Sequence, residues 1–394
     1  MNSQNRDTKT QIVVLFGGES AEHDVSCVTA AYVLRALDPN KYQVMTIGIT
    51  RSGQWVKAEL PDTKDFKTLE ATGAATNANL VLKSVGDISQ TVVLPLLHGP
   101  MGEDGTVQGL LELAHVAYVG AGVLGSAISM DKSVAKQILA ANNISQPKFV
   151  TVRDGQDLGT AVETAVSELG LPVFVKPANM GSSIGVKKAK TRDEIISALS
   201  QAFEYDEWAL IEEAISGREI EVAILGNQTA RASIPGEIIP SHEFYDYEDK
   251  YLVDGAKLLI PAPLTAQQTL EVQHLALRVF MLLRSDGMAR IDFFYEENGR
   301  GFLCNEINTI PGFTPISMYP KLWQASGISY PELLDELINL AIARHAKRQK
   351  HESLGSLFSF VSCSRTGCWD IDFHSRVKKH IDARPSVSRD QRSH

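Results

Sequence analysis

The side chains best suited to chemistry concentrate in residues 288–314, MARIDFFYEENGRGFLCNEINTIPGFT. Two runs rich in β-branched and aromatic residues flank Glu297-Asn298-Gly299-Arg300, a turn signal in which Asn and Gly accept positive φ. The stretch is predicted to be a hairpin. With the turn centred near Gly299, pairing by equal offset sets Asp292 opposite Glu306 and Arg290 opposite Asn308, all on one face. Strand side chains alternate in direction, so the other face receives Ile291, Phe293, Tyr295, Leu303 and Ile307 and suits burial. Two carboxylates opposed across strands repel each other. A hard divalent cation bound by Asp292, Glu306 and the Asn308 amide would turn that repulsion into a binding site, as Mg²⁺ is held between carboxylates and substrate phosphates. A solvated polar face on an amphipathic hairpin would carry the same residues, and only the rest of the chain decides between the two.

The elements that would position this hairpin begin with a buried-strand run, Ile12-Val-Val-Leu-Phe16, turned by Gly17-Gly18 into a helix that starts within residues 19–26 and ends at Asp38-Pro39. That is the opening of an α/β unit, whose ligands bind at the carboxyl ends of strands. The dinucleotide fingerprint G-x-G-x-x-G is absent, which argues against nicotinamide chemistry. Strands are predicted at 42–49 and 91–97, with residues 58–90 irregular and polar between them. The glycine-rich loop 98–109 then precedes a helix and could hold an anion. His98, taken alone, also reads as a hydrogen-bonded structural histidine.

A helix is predicted from about Met130 to Ala141, and a strand over 170–177 carries Lys176 into the loop Ala178-Asn-Met-Gly-Ser-Ser-Ile-Gly185. This is no Walker A loop, yet its N–H groups and hydroxyls could close over phosphate oxygens; a plain hairpin connection would look the same. Residues 208–225 read as strand, crossing segment and strand. Glu212 before the crossing and Glu219 after it could meet an adenine and a ribose, or be solvated strand ends. Residues 241–255, SHEFYDYEDKYLVDG, are too polar for a core and too aromatic for an inert loop, so they read as a lid that excludes water. A helical pattern over 263–283 leads into the hairpin, and a closing helix is predicted over 331–348. The tail, residues 349–394, has no sustained period and is expected to be disordered.

The totals narrow the classes. A length of 394 residues suggests two or three domains, and 44% hydrophobic with 22% charged residues is ordinary for a soluble protein. A formal charge of -9, with no concentrated basic patch before the tail, argues against a nucleic-acid surface. No apolar run reaches the length of a membrane span and residues 1–11 are polar, so a cytoplasmic protein without a membrane partner is expected. Cys27, Cys304, Cys363 and Cys368 form neither a disulfide framework nor a C-x-x-C zinc pair.

In combination, five motifs resemble the D-alanine-D-alanine ligases of the ATP-grasp superfamily over residues 11–348. They are GGESAEHDVS from Gly17, HGPMGEDGTVQG from His98, VKPANMGSSIGV from Val175, EFYDYEDKY from Glu243 and NEINTIPGFT from Asn305. The resemblance implies an α/β, three-domain ATP-grasp ligase with an N-terminal doubly wound domain. Its divisions would fall at 1–121 (first substrate), 122–212 (phosphate loop) and 213–348 (metals and lid), leaving a tail without family counterpart. It implies that ATP phosphorylates one D-alanine carboxylate and that the amine of a second D-alanine then attacks the acyl phosphate, for peptidoglycan precursor synthesis. By the same resemblance, Asp292, Glu306 and Asn308 hold two Mg²⁺ ions, with Mn²⁺ able to substitute, while Arg290 and the Gly312 N–H stabilise transferring charge. Lys132, Lys176, Ser183 and the lid residue Lys250 look like phosphate contacts. Glu212, Ala214 and Ile215 resemble adenine contacts, and Glu219 the ribose contact. Glu22 resembles the residue binding the first D-alanine's ammonium, in a trio with Ser182 and Tyr251. His98, Glu103 and Tyr245 lie near that substrate, and Ser317 and Met318 near the second. A homodimer is the family expectation.

The nearest rivals are a D-alanine-D-lactate or D-alanine-D-serine ligase. Tyr251, where depsipeptide-forming relatives carry Phe, and the apolar Met318 both favour the dipeptide product. Tyr251→Phe should therefore gain D-lactate as acceptor in a mixed-acceptor assay read by mass; unchanged product ratios would remove this specificity assignment.

Overall fold

A computed structural model describes residues 9–61, 65–84, 88–240 and 257–356. Three sheets follow one another along the chain. The first has strands β1 (Thr10–Gly17), β2 (Tyr42–Ile49), β3 (Trp55–Ala58), β4 (Gly73–Thr76), β5 (Thr91–Pro95) and β6 (Ala117–Tyr118) in the order β4-β3-β2-β1-β5-β6. β1 lies parallel between β2 and β5. Both its faces are buried: Ile12, Val14 and Phe16 pack with Ala30 and Val33 of helix His23–Ala36, while Val13 and Leu15 pack with Val107 and Leu111 of helix Thr106–Leu113. A strand covered on both sides loses alternation and reads as one apolar run, as Ile12 to Phe16 does.

The described part of residues 58–90 holds more regular structure than its composition suggested. β4 adds antiparallel to β3 and helix Ala78–Ser84 follows it. Gly73-Ala-Ala-Thr is too short and too small to carry a periodic signal, so the partner strand makes it a strand.

The second sheet contains β7 (Phe149–Arg153), β8 (Val173–Pro177), β9 (Lys187–Ala189) and β10 (Trp208–Glu213), antiparallel in the order β7-β10-β8-β9. One face packs on helices Leu158–Leu169 and Arg192–Ala202 through Val173, Val175, Ala209 and Ile211. Alternation then turns Phe174, Lys176 and Glu212 to the opposite face.

The third sheet has β11 (Arg218–Gly226), β12 (Arg231–Ala232), β13 (Gly236–Ile239), β14 (Lys257–Leu259), β15 (Gly287–Glu296) and β16 (Gly301–Asn308). Its inner face joins Ile220, Val222 and Ile224 to Ile291, Phe293 and the helix Ala266–Leu282, which opens with a Thr265/Gln268 capping box. The β15–β16 hairpin pairs Arg290 with Asn308 and Asp292 with Glu306, as equal-offset counting anticipates. Between Asp292 and Phe293 the register shifts, since Phe293 pairs with Cys304. Asn305 is thus a bulge residue. Leu303 consequently falls opposite Phe294, not on the Ile291 face, and Phe302 and Cys304 take the core positions in its place.

The described residues up to Ala346 form one compact unit. A single core runs from the first sheet to helices Met318–Ala325 and Tyr330–Ser356, through Phe16, Tyr319, Trp323, Leu333, Leu334 and Leu337. The last helix continues to Ser356, past the Arg348 expected from its apolar spacing, because helical backbone does not require an apolar stripe in its final turns. No described helix is long and apolar enough to cross a membrane.

Candidate active site

A cleft of about 700 Å³ lies between the polar faces of the second and third sheets. Its lining includes Lys132, Lys176, Ser182, Ser183, Glu212, Ala214, Ile215, Glu219, Arg290, Asp292 and Glu306, residues drawn from five separate stretches of sequence. Lys132 opens a helix whose N-cap, Asp131, accepts from the Ser133 and Val134 N–H groups. The Lys132 ammonium donates to the Met180 carbonyl at 2.6 Å and stands 3.8 Å from the Glu306 carboxylate, tying the serine loop to the β15–β16 hairpin.

In that loop Ser182 and Ser183 both hold left-handed backbone, φ 48° and 59°. Such strain persists only where surroundings enforce it. Ser182 donates its hydroxyl to Glu22, and a Cβ on Gly181 would come within 2.7 Å of the Glu22 carboxylate, which would have to shift to admit a side chain there. The N-terminal domain's Glu22 thereby fastens the loop.

Two buried lysines share one carboxylate: Lys136 and Lys176 each approach a different oxygen of Glu212 at 2.6 Å. Burial opposes charge on Glu212, yet the two ammoniums hold its carboxyl below the usual range; burial likewise lowers Lys136. No motif singles out Lys136. The available signal was its i+4 spacing from Lys132, which sets both on one helix face.

On the opposite wall Glu221, Asp292 and Glu306 stand side by side on β11, β15 and β16. Arg290 grips both Asp292 oxygens at 2.8 and 2.7 Å and lies 3.0 Å from Glu221. Burial works against its charge, but these carboxylates outweigh that and hold the guanidinium far above its ordinary pKa. Asn308 donates its amide N–H to Asp292 at 3.0 Å, which leaves the amide oxygen as a donor atom for a cation. Glu221 also escaped sequence reasoning; its i+2 spacing from Glu219 on one strand was the only hint.

Around Glu22 the loop after β5 adds Glu103, which accepts the Gly99 N–H at 2.8 Å, and buried His98. Burial and the neighbouring Glu22 charge push the Glu103 carboxyl up to about 8, while burial lowers His98. Ser317 accepts the Thr314 N–H at 3.1 Å, and its hydroxyl would lie 2.8 Å from a Cβ on Gly312. The Met318 side chain is buried in the main core beside Gly236, because the first turn of its helix faces inward, and neither it nor Ser317 is among the residues lining this cleft. Tyr245, Lys250 and Tyr251 lie outside the described residues.

Two antiparallel sheets closing over a cleft, lysines on one and a carboxylate-arginine row on the other, with a doubly wound sheet before them, define an ATP-grasp fold. The profiles "D-ala D-ala ligase N-terminus" and "D-ala D-ala ligase C-terminus" match residues 11–121 and 138–339. A D-alanine-D-alanine ligase of Geobacillus kaustophilus is 47% identical, covering 86% of this chain and 97% of the relative. Among solved structures, the D-alanine-D-alanine ligase of Coxiella burnetii superposes with TM-score 0.74 at 34% identity, covering 89% of this chain and 98% of its own. A D-Ala:D-Ser ligase of Enterococcus faecalis gives 0.74 at 35%, covering 85% and 100%. The chain belongs to the D-alanine-D-alanine ligase family.

The raised Glu103 carboxyl has a consequence for stability. Between 4.5 and about 8 the folded protein keeps a proton that the unfolded chain has released, so this contribution is whole below 4.5 and is lost as pH rises through about 8. Glu103→Gln should flatten the fall in unfolding free energy over that window, whose limiting slope is about 1.4 kcal/mol per pH unit, in urea titrations. An unchanged slope would mean that Glu103 is ionised in the native state.

Proposed function

We propose that this chain joins two D-alanines to D-alanyl-D-alanine at the expense of ATP, through an acyl phosphate, for peptidoglycan precursor synthesis. The observation that carries this reading is the Arg290-Asp292-Glu306-Asn308 set facing Lys132 and Lys176 across one cleft, in a chain of this family. The acceptor choice rests on the curated relatives, D-alanine-D-alanine ligases 42% to 47% identical over nearly their full length.

Adenine is assigned to the Glu212, Ala214 and Ile215 strip, ribose to Glu219, and phosphates to Lys132, Lys176, Ser183 and Lys250. Asp292, Glu306 and Asn308 offer only oxygen donors, a set that fits a hard divalent cation: the two Asp292 oxygens have lone pairs beyond those that Arg290 and Asn308 use. Two Mg²⁺ ions, or Mn²⁺, would supply neutralisation of phosphate charge there. Arg290, already firmly protonated, offers a fixed cation to the transferring phosphoryl group, and with the Gly312 N–H to the oxyanion that follows.

Glu22 receives the ammonium of the first D-alanine, with Ser182 and Tyr251 completing its hydrogen bonds. Glu103 is protonated at neutral pH, so that pocket presents one carboxylate charge to one ammonium. His98 is kept neutral beside it. Ser317 attends the second D-alanine. Domain divisions at 121 and 212, a homodimer and a cytoplasmic location complete the proposal; the two described cysteines, both free and buried, suit a reducing compartment.

Phosphate release from ATP and Mg²⁺ should require D-alanine alone, with D-alanyl-D-alanine identified by mass. Release only when D-lactate or D-serine is added would move the acceptor assignment, and no release would overturn the activity. Glu306→Gln should lower kcat roughly 10²- to 10³-fold with an unchanged melting curve. Normal kcat in that variant would remove the metal assignment.

A further inference from the structure

Lys136 stands behind the nucleotide wall, 2% exposed, on the helix Lys132–Ala141. Its side chain does not line the cleft, whereas those of Lys176 and Glu212 do. Its carbonyl accepts from Gln146 at 2.8 Å and its ammonium lies 5.6 Å from the Phe149 ring centroid. The acid paired with it among the described residues is Glu212, whose other oxygen holds Lys176.

This arrangement has an unusual balance. A Lys176-Glu212 pair would already be neutral and complete, and removing a third charge from water opposes folding. Lys136 turns the pair into a trio with net charge +1, and the member of that trio able to present the charge to the cleft is Lys176. Without Lys136, Lys176 would be a closed ion pair that a phosphate must break before binding.

We propose that Lys136 is a positioning residue for the nucleotide: its ammonium neutralises Glu212 from behind, so that the charge of Lys176 is left to the phosphates in the cleft. The inference rests on the reading of that cleft as the ATP site. It assigns Lys136 an effect on phosphate affinity but none on the base, and no contact with substrate.

The test is calorimetric binding of the β,γ-imido analogue of ATP with Mg²⁺, and of adenosine, to the full chain and to two variants. Lys136→Met should weaken the analogue roughly 10- to 100-fold, the range set by losing one charge-assisted interaction, while moving adenosine less than about threefold. Lys136→Met/Glu212→Gln removes one positive and one negative charge, restores the net +1, and should recover most of the ratio of analogue to adenosine affinity. Equal weakening of both ligands in the single variant, or a double variant no better than the single, overturns the proposal, since a merely structural lysine would not be rescued by losing its partner's charge. If the single variant fails to fold, the double variant decides: an affinity ratio within about threefold of the parent supports the inference and a tenfold loss overturns it. Absence of analogue binding to the unmodified chain would instead overturn the nucleotide reading itself.

Discussion

The rest of the site depends on one electrostatic constraint: three carboxylates, Glu221, Asp292 and Glu306, occupy neighbouring positions across β11, β15 and β16. Side by side on adjacent strands they repel, and partial burial strengthens the repulsion. Arg290 answers it from within the same sheet, clasping Asp292 and reaching Glu221, while Lys132 approaches Glu306 from the other side of the cleft. The apolar underside, Ile291 and Phe293 against helix Ala266–Leu282, keeps these strands in the register that sets the charges together. A one-residue slip would turn the set into the core.

The cleft is polarised as a result. Its second-sheet wall carries the excess positive charge of Lys132, Lys136 and Lys176 over Glu212, and its third-sheet wall the excess negative charge of the carboxylate row over Arg290. A triphosphate with divalent cations matches that division, since its anionic oxygens can face the lysines while its cations face the carboxylates. The connection Ala214 to Gly217 joins the two walls and lines the cleft.

The N-terminal sheet contributes by constraint as well as by contact. Glu22 lies between Gly99 and Gly181, where a side chain on either glycine would collide with its carboxylate, and Ser182 donates to it across the interface. Under the proposed function the residue that fastens the serine loop would also receive the first D-alanine's ammonium. The shared core through Phe16, Tyr319, Trp323 and Leu337 gives the Glu22 contact a rigid base.

Much of this was legible in the sequence because local rules acted alone. β1 read as a strand from its apolar run, the hairpin from its turn and alternation, and the pairing of Asp292 with Glu306 from counting. Order within 73–84 was not legible, because a strand of Gly, Ala and Thr exists only through its partner. Nor was the bulge at Asn305: from the turn to Phe293 and Cys304 the strands pair one residue short of equal-offset counting about Gly299, which sets Leu303 opposite Phe294, and the bulge then brings Glu306 opposite Asp292. Met318 went to the core because helix orientation is set by packing, which no neighbour in sequence announces. The sequence by itself determined the residue types and their spacing, hence the family and the chemistry available. Tertiary structure alone decided which charges meet: that Lys136 stands behind Glu212, that Glu221 joins the row, and that burial beside Glu22 raises the Glu103 carboxyl, since those outcomes follow from distance and burial between segments far apart in the chain.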